Sequence, residues 1–256
     1  REQQCPKADE FDAYASTNPL AGMPYGLPGL QPEEHQVMVD WLSQGAQRPE
    51  RRYLTDAERA LITDWETFLN GDDNRSRLVA RYLYEHLFLA NLYLTTDDNP
   101  LWFRIVRSTT PPGRTLGLVA TRRPYDDPGV SRVYYGVQRM DLSPLDKILL
   151  PYRFDSARMD RYRELFLVPD YAVRKLPGYA TDVTSNPFKS FKALPVQSRY
   201  RFLLDEAQFT IMNFIKGPVC RGRVALSVIE EQFWVMFEDP DLLDDEWDQM
   251  FLSRES

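Results

Sequence analysis

Apolar residues recur at helical spacing over much of the first ninety positions. Pro32 stands where a first helical residue would, with Glu33 and Glu34 suited to the positive end of a helix dipole. Val37, Met38, Trp41 and Leu42 then form a stripe that Gly45 ends. Thr55-Asp-Ala-Glu58 is a capping box. It opens a second helix with Leu61, Trp65, Phe68 and Leu69 on one face, and Asn70-Gly71 stops it. A third helix is expected from about 74 to 89, with Leu78, Val79, Tyr82, Leu83, His86, Leu87 and Ala90 inward. Beyond it the period shortens. Residues 92–95, 103–107 and 132–138 read as strands, separated by turn material such as Asp126-Asp-Pro-Gly129. Helical spacing returns at 155–167, with Met159, Tyr162, Leu165 and Phe166 inward. Residues 168–198 read as loops and 200–215 as a buried helix. A helix at 223–231, a strand at 233–237 and a last short helix carrying Leu243, Trp247 and Phe251 complete the reading; residues 1–30 are expected to be irregular. The mixture is a helix-rich α+β fold.

Composition narrows what this pattern can be. A chain of 256 residues makes one large domain, or one with an appendage. Two cysteines, Cys5 and Cys220, exclude a disulfide scaffold, and two histidines, His35 and His86, exclude a His-based zinc cage. The longest uncharged stretch, 13–32, carries four Pro and three Gly and cannot be a spanning helix. A soluble or peripheral protein is expected.

Charge placement says more than the net −7. The two ends are acidic, and residues 51–234 carry a net +5. Within 101–140 stand seven Arg and only two acids, Asp126 and Asp127. A second basic stretch, 186–204, holds Lys189, Lys192, Arg199 and Arg201 without an acid. Both are laced with aromatics. Guanidinium groups fork onto phosphates, and aromatic rings favour a membrane interface. Arg107, Arg122 and Arg123 are therefore the candidate contacts to anionic headgroups. The same pattern also fits a solvated strand face over core aromatics. A pI of 5.0 argues against nucleic acid as a partner.

Familiar catalytic signatures are scarce. There is no GxSxG, no Walker motif, no GxGxxG and no CxxC, so no nucleotide cofactor is expected. Asp72-Asp73 and Asp244-Asp-Glu246 read as solvated charge runs. Cys220, followed by Arg221 and Arg223, reads as a buried thiol or one with a lowered pKa. His86, beside Glu85 on an apolar stripe, reads as a core residue bonded to a backbone carbonyl or to an acid of another element. Its functional alternative is a proton shuttle or axial ligand, which makes it a weak catalytic candidate.

The string Gly22-Met-Pro-Tyr-Gly-Leu-Pro-Gly29, followed by the Trp41 helix and Pro49, resembles the back half of a small c-type cytochrome. That resemblance makes Met23 an axial ligand to haem iron. Longer strings run through the rest of the chain: Tyr84-Glu-His-Leu-Phe-Leu-Ala90, Ala120-Thr-Arg-Arg-Pro-Tyr-Asp-Asp-Pro-Gly129, Pro151-Tyr-Arg-Phe-Asp155, Asn213-Phe-Ile-Lys-Gly-Pro-Val-Cys-Arg-Gly222 and Val228-Ile-Glu-Glu-Gln-Phe-Trp234. Together they resemble the bacterial fatty-acid cis/trans isomerase family. The resemblance implies a periplasmic c-type haem enzyme, peripheral to the membrane, that isomerises acyl chains of membrane phospholipids under stress. It implies haem c as cofactor and phospholipid as partner. The attachment motif C-x-x-C-H is absent from this sequence and is expected upstream of Arg1. Residues 1–50 are then a cytochrome c-like helical remnant, packed on a main domain, 51–256, with a short antiparallel sheet. Two other functions fit the same residues: a non-catalytic membrane- or phospholipid-binding module, and an electron-transfer protein with the Met23 loop at the haem edge.

Overall fold

A computed structural model describes residues 6–19, 29–47, 52–96, 100–141, 151–207 and 236–242. The chain divides into two compact units, Arg1–Arg52 and Tyr53–Ser256.

The first unit holds α1 (Phe11–Thr17) and α2 (Pro32–Ser43). The short α1 falls in a stretch expected to be irregular. It carries no side-chain cap, which is why no start signal marks it. Helix α2 begins where Pro32 and the two glutamates place it, with Gln31 and Glu34 closing a capping box. Its apolar stripe is not buried: Val37 is 68% exposed and Trp41 47%. The Trp41 indole Nε1 donates to the Gln47 carbonyl at 2.9 Å, folding the ring over its own C-terminal turn.

The second unit holds α3 (Asp56–Leu69), α4 (Asn74–Leu87), β1 (Asn91–Tyr93), β2 (Trp102–Ser108), β3 (Tyr134–Met140), β4 (Pro151–Arg153), α5 (Ser156–Phe166), α6 (Thr181–Thr184), α7 (Pro187–Ser190) and α8 (Val196–Asp205). Residues 168–198, expected to be loops, contain α6, α7 and the start of α8. The expected helix at 223–231 and the last short helix lie outside the described residues, as does most of 233–237.

The sheet order is β3-β2-β1-β4. It is mixed, not antiparallel as the sequence suggests. β1–β2 and β2–β3 are antiparallel, but β4 runs parallel to β1, with Leu92 opposite Tyr152. A three-residue strand led by a proline gives no alternation to read, and β2 and β3 intervene between β1 and β4, so no hairpin fixes its direction.

The core lies between the sheet and helices α3, α4, α5 and α8. Trp65 stacks on Phe154 with ring centroids 3.5 Å apart, and its Nε1 donates to the Phe154 carbonyl at 2.9 Å. Tyr82 sits edge-on to Phe191 and Phe202 at 5.0 and 5.2 Å. Strand β3 ends the sheet, and α3 side chains take up its free backbone groups. Asn70 Oδ1 accepts from Tyr135 N at 2.9 Å, and Asn70 Nδ2 donates to Tyr135 O at 2.8 Å. Glu66 Oε1 accepts from Val137 N at 3.0 Å. Covering an edge in this way removes a template for pairing with another chain.

Candidate functional site

Helix α4 sets the site. Asp73 caps it, accepting from Ser76 N at 3.0 Å. A Cβ on Gly71 would stand 2.6 Å from the Ser76 Cβ, so this turn admits no larger residue. One face of the helix buries the apolar stripe. The neighbouring face carries Arg77, Arg81 and Glu85 at intervals of four, which brings their side chains together.

Arg81 and Glu85 form an ion pair, Nε to Oε1 at 2.7 Å, with side chains only 7% and 9% exposed. Burial pushes the Glu85 carboxyl above its ordinary value, and the Arg81 charge and hydrogen bond pull it partly back. Arg81 Nη1 also donates to the carbonyls of Pro177 and Gly178, at 3.2 and 3.3 Å. Its guanidinium lies 4.1 Å from the centre of the Tyr179 ring, a cation–π contact. Tyr135, on β3, is buried, and desolvation pushes its phenol above the ordinary range. Beside these groups opens a cavity of about 210 Å³, walled by α4, the turn at 69–71 and the segments 130–133 and 176–179. Arg77, Arg81, Arg132, Tyr135 and Tyr179 line it together with Leu69, Val133 and Leu176. None of these residues was a site candidate from the sequence: Leu69 was read as core stripe, and Arg132 and Tyr135 only as members of the basic, aromatic-laced stretch. The run Arg77, Arg81, Glu85 is a visible signal for a shared helix face.

A second polar cluster lies in the core of the same unit. The Tyr152 hydroxyl donates to Glu206 Oε1 at 2.5 Å. Its single proton is then committed, so the Tyr162 hydroxyl donates to Tyr152. Arg158 Nη1 donates to the same carboxylate oxygen. Burial pushes the Glu206 carboxyl up, against the hydrogen bond from Tyr152 and the charge of Arg158. This chain ties β4, α5 and the C-terminal end of α8 together.

Of the residues singled out from the sequence, Met23 and Cys220 lie outside the described residues. Arg107 is 2% exposed and is not a surface cation. Its Nη1 donates to the Asp126 carbonyl at 2.8 Å, its Nη2 donates to Thr121 Oγ1, and its guanidinium lies over the Tyr84 ring. A headgroup contact for Arg107 is therefore withdrawn: the side chain pins the 121–126 loop to β2. Arg122 is exposed and makes no ion pair with any described residue. Arg123 is exposed but paired, Nε to Asp126 Oδ1 at 3.0 Å, with its guanidinium 5.1 Å from the Tyr125 ring centre.

His86 does not line the cavity. Its Nδ1 lies 2.8 Å from the Tyr82 carbonyl, one turn back. A carbonyl only accepts, so Nδ1 carries the proton. The ring packs 4.0 Å from the Tyr82 ring, with Phe191 and Phe202 each at 5.8 Å. Its backbone partner lies in its own helix, and Glu85 turns to Arg81 instead. Burial, aided by the positive charge of Arg199, holds the His86 pKa below its ordinary 6.5 against the pull of the Tyr82 carbonyl. A histidine whose folded pKa is depressed adds stability above its unfolded value, and that stability is lost as pH falls through it. Melting temperature should therefore drop between pH 7.5 and pH 5.5 in the wild type. His86→Gln, which keeps a donor for Tyr82, should flatten that drop. An equal drop in the variant would place the titration elsewhere.

Among the described residues no group of three or more His, Cys, Asp or Glu could hold a metal ion. Neither Cys5 nor Cys220 belongs to a C-x-x-C-H string, and both lie outside the described residues. No chemical step is assigned to haem. Among the described residues no helix is long and apolar enough to cross a membrane.

Comparison with curated proteins finds no match, and neither does comparison with solved structures. A family model, fatty acid cis/trans isomerase, matches residues 1–256. That match covers the entire sequence and agrees with the strings quoted above, so the chain belongs to the fatty acid cis/trans isomerase family.

Proposed function

We propose that this protein converts cis double bonds in the acyl chains of membrane phospholipids into trans, working in the periplasm at the membrane surface. The observation that carries this reading is the family match over residues 1–256. The chemistry is self-sufficient in energy. Rotation about the double bond requires transient loss of its π character, and release yields the more stable trans isomer with no net oxidation. A straightened chain packs more closely with its neighbours and stiffens the bilayer, which suits a stress response.

Gas chromatography of fatty acids from cells with and without the gene tests the reading. A trans peak that appears only with the gene is the expected result; identical profiles would overturn it. Haem c and Met23 remain part of the proposal. An absorption spectrum of protein purified from those cells should show a haem band that Met23→Ala shifts, and an unchanged band removes Met23 as a ligand.

The surface contact now rests on Arg122 and Arg123. Arg122→Gln should weaken binding to phosphatidylglycerol vesicles about fivefold at low salt, the contribution of one cation near an anionic surface. Arg123→Gln should do less, because Asp126 already offsets its charge. Co-sedimentation that is insensitive to both variants would remove this face from the membrane contact.

A further inference from the structure

We propose that the cavity beside α4 is an oxyanion site, built to hold the acidic group of an acyl amphiphile, a carboxylate or a phosphate. The amphiphile rests on the isomerase reading; the oxyanion rests on the cavity alone.

Charge is the first ground. Three guanidinium groups, those of Arg77, Arg81 and Arg132, line the cavity, and among the described residues no carboxylate does. Arg81 is balanced from behind by Glu85. Arg132 is shared with Asp72, whose side chain is almost fully exposed. Arg77 makes no ion pair with any described residue, so the cavity keeps an uncompensated positive charge.

Hydrogen-bonding geometry is the second ground. The guanidinium fork matches carboxylate and phosphate geometry, and an oxyanion in the cavity answers the charge of Arg77. Arg81 Nη2 and Arg132 Nε are buried with no hydrogen-bond partner, but so are the Nε atoms of Arg107, Arg139 and Arg199 away from the cavity, so those two atoms do not by themselves mark a ligand.

Shape sets the class of ligand. At about 210 Å³ the cavity is smaller than the roughly 300–1,000 Å³ that encloses a drug-sized molecule. It holds an acidic group and not a whole acyl chain. Leu69, Val133 and Leu176 line it as well, which suits methylene groups next to that acid.

The test uses the whole chain and three probes: inorganic phosphate, monomeric oleate, and vesicles of phosphatidylglycerol. Calorimetry should show saturable binding of phosphate, displaced by oleate. Arg77→Gln should weaken phosphate about tenfold, the loss of one charge-assisted hydrogen bond, without moving the melting temperature. Val130→Phe, at a partly exposed lining position, should obstruct the cavity and abolish binding. Weakened oleate binding with unaltered vesicle binding in Arg77→Gln would assign the site to a free carboxylate. Loss of vesicle binding with oleate unaffected would assign it to the lipid phosphate. Absence of saturable binding to all three probes, or equal affinities in wild type and Arg77→Gln, would overturn the proposal. The isomerase reading fails separately, when cells carrying the gene make no trans fatty acid, and that failure leaves the phosphate result standing.

Discussion

Replacing Arg81 with methionine should lower the unfolding free energy by about 3–5 kcal/mol at neutral pH, the cost of breaking one side of a buried ion pair. Both partners are nearly inaccessible. Methionine fills part of the space, but it leaves the Glu85 carboxylate buried without its cation. It also removes the bonds to Pro177 and Gly178 that hold the 176–179 segment against α4. The loss should depend on pH. Burial already holds the Glu85 carboxyl above its ordinary 4.5, and Arg81 draws it down; without Arg81 it rises further. A carboxyl whose folded pKa exceeds its unfolded one keeps its proton longer in the native state. The native state is therefore penalised increasingly as pH rises from the unfolded value through the folded one. The difference between wild type and Arg81→Met should be smallest below about pH 4.5, where Glu85 is protonated in both states, and full near neutrality. Urea unfolding at both pH values measures it. Arg81→Met with Glu85→Leu should recover much of the loss, because an apolar pair of similar volume replaces a buried ion pair at little cost. A difference that stays the same at both pH values would show that Glu85 is not the group left stranded.

The helices that frame this pair were legible where local chemistry marks them. Thr55 and Glu58 close the box that opens α3, and Asn70-Gly71 ends it where the structure does. Asn74 begins α4 and Ser156 begins α5, within a residue of where their stripes place them. Helices α1, α6 and α7 were not legible. Each spans only four to seven residues, too few for a helical period to show. Strand β4 was missed because three residues carry no alternation.

The site was less legible than the fold because sequence counts charges without locating their partners. Arg107 stood out as one cation in a basic stretch. Its acceptors, Thr121 and the Asp126 carbonyl, lie 14 and 19 residues further on, and they turn it inward. Arg81 drew no attention because an Arg–Glu pair four apart on a helix ordinarily faces water. What buries it is the segment containing Pro177 and Gly178, some 96 and 97 residues away. The apolar stripe of α2 shows the opposite case. Its spacing was right, and yet Val37, Met38, Trp41 and Leu42 are exposed. Periodicity reports which face of a helix is apolar and does not report what covers it.

Trp65→Ala should be comparably damaging, at about 3–5 kcal/mol, for reasons of packing rather than charge. The indole is fully buried, stacked on Phe154 and edge-on to Phe68 at 5.7 Å. Its loss leaves a cavity at the contact between α3, α5 and the end of β4. Trp65→Phe should keep most of the stacked surface but leave the Phe154 carbonyl without its donor, at about 1–2 kcal/mol. The damage should also reach the cavity beside α4. Asn70 and Glu66 clip the edge of β3 from the same helix, so a loosened α3 should release the Tyr135 and Val137 amides to faster hydrogen exchange. Chemical unfolding gives the two stabilities, and exchange at those amides gives the local effect. Equal losses from Ala and Phe would shift the weight from ring stacking to the hydrogen bond. Unchanged exchange at Tyr135 and Val137 would show that the edge clip holds without Trp65 behind it.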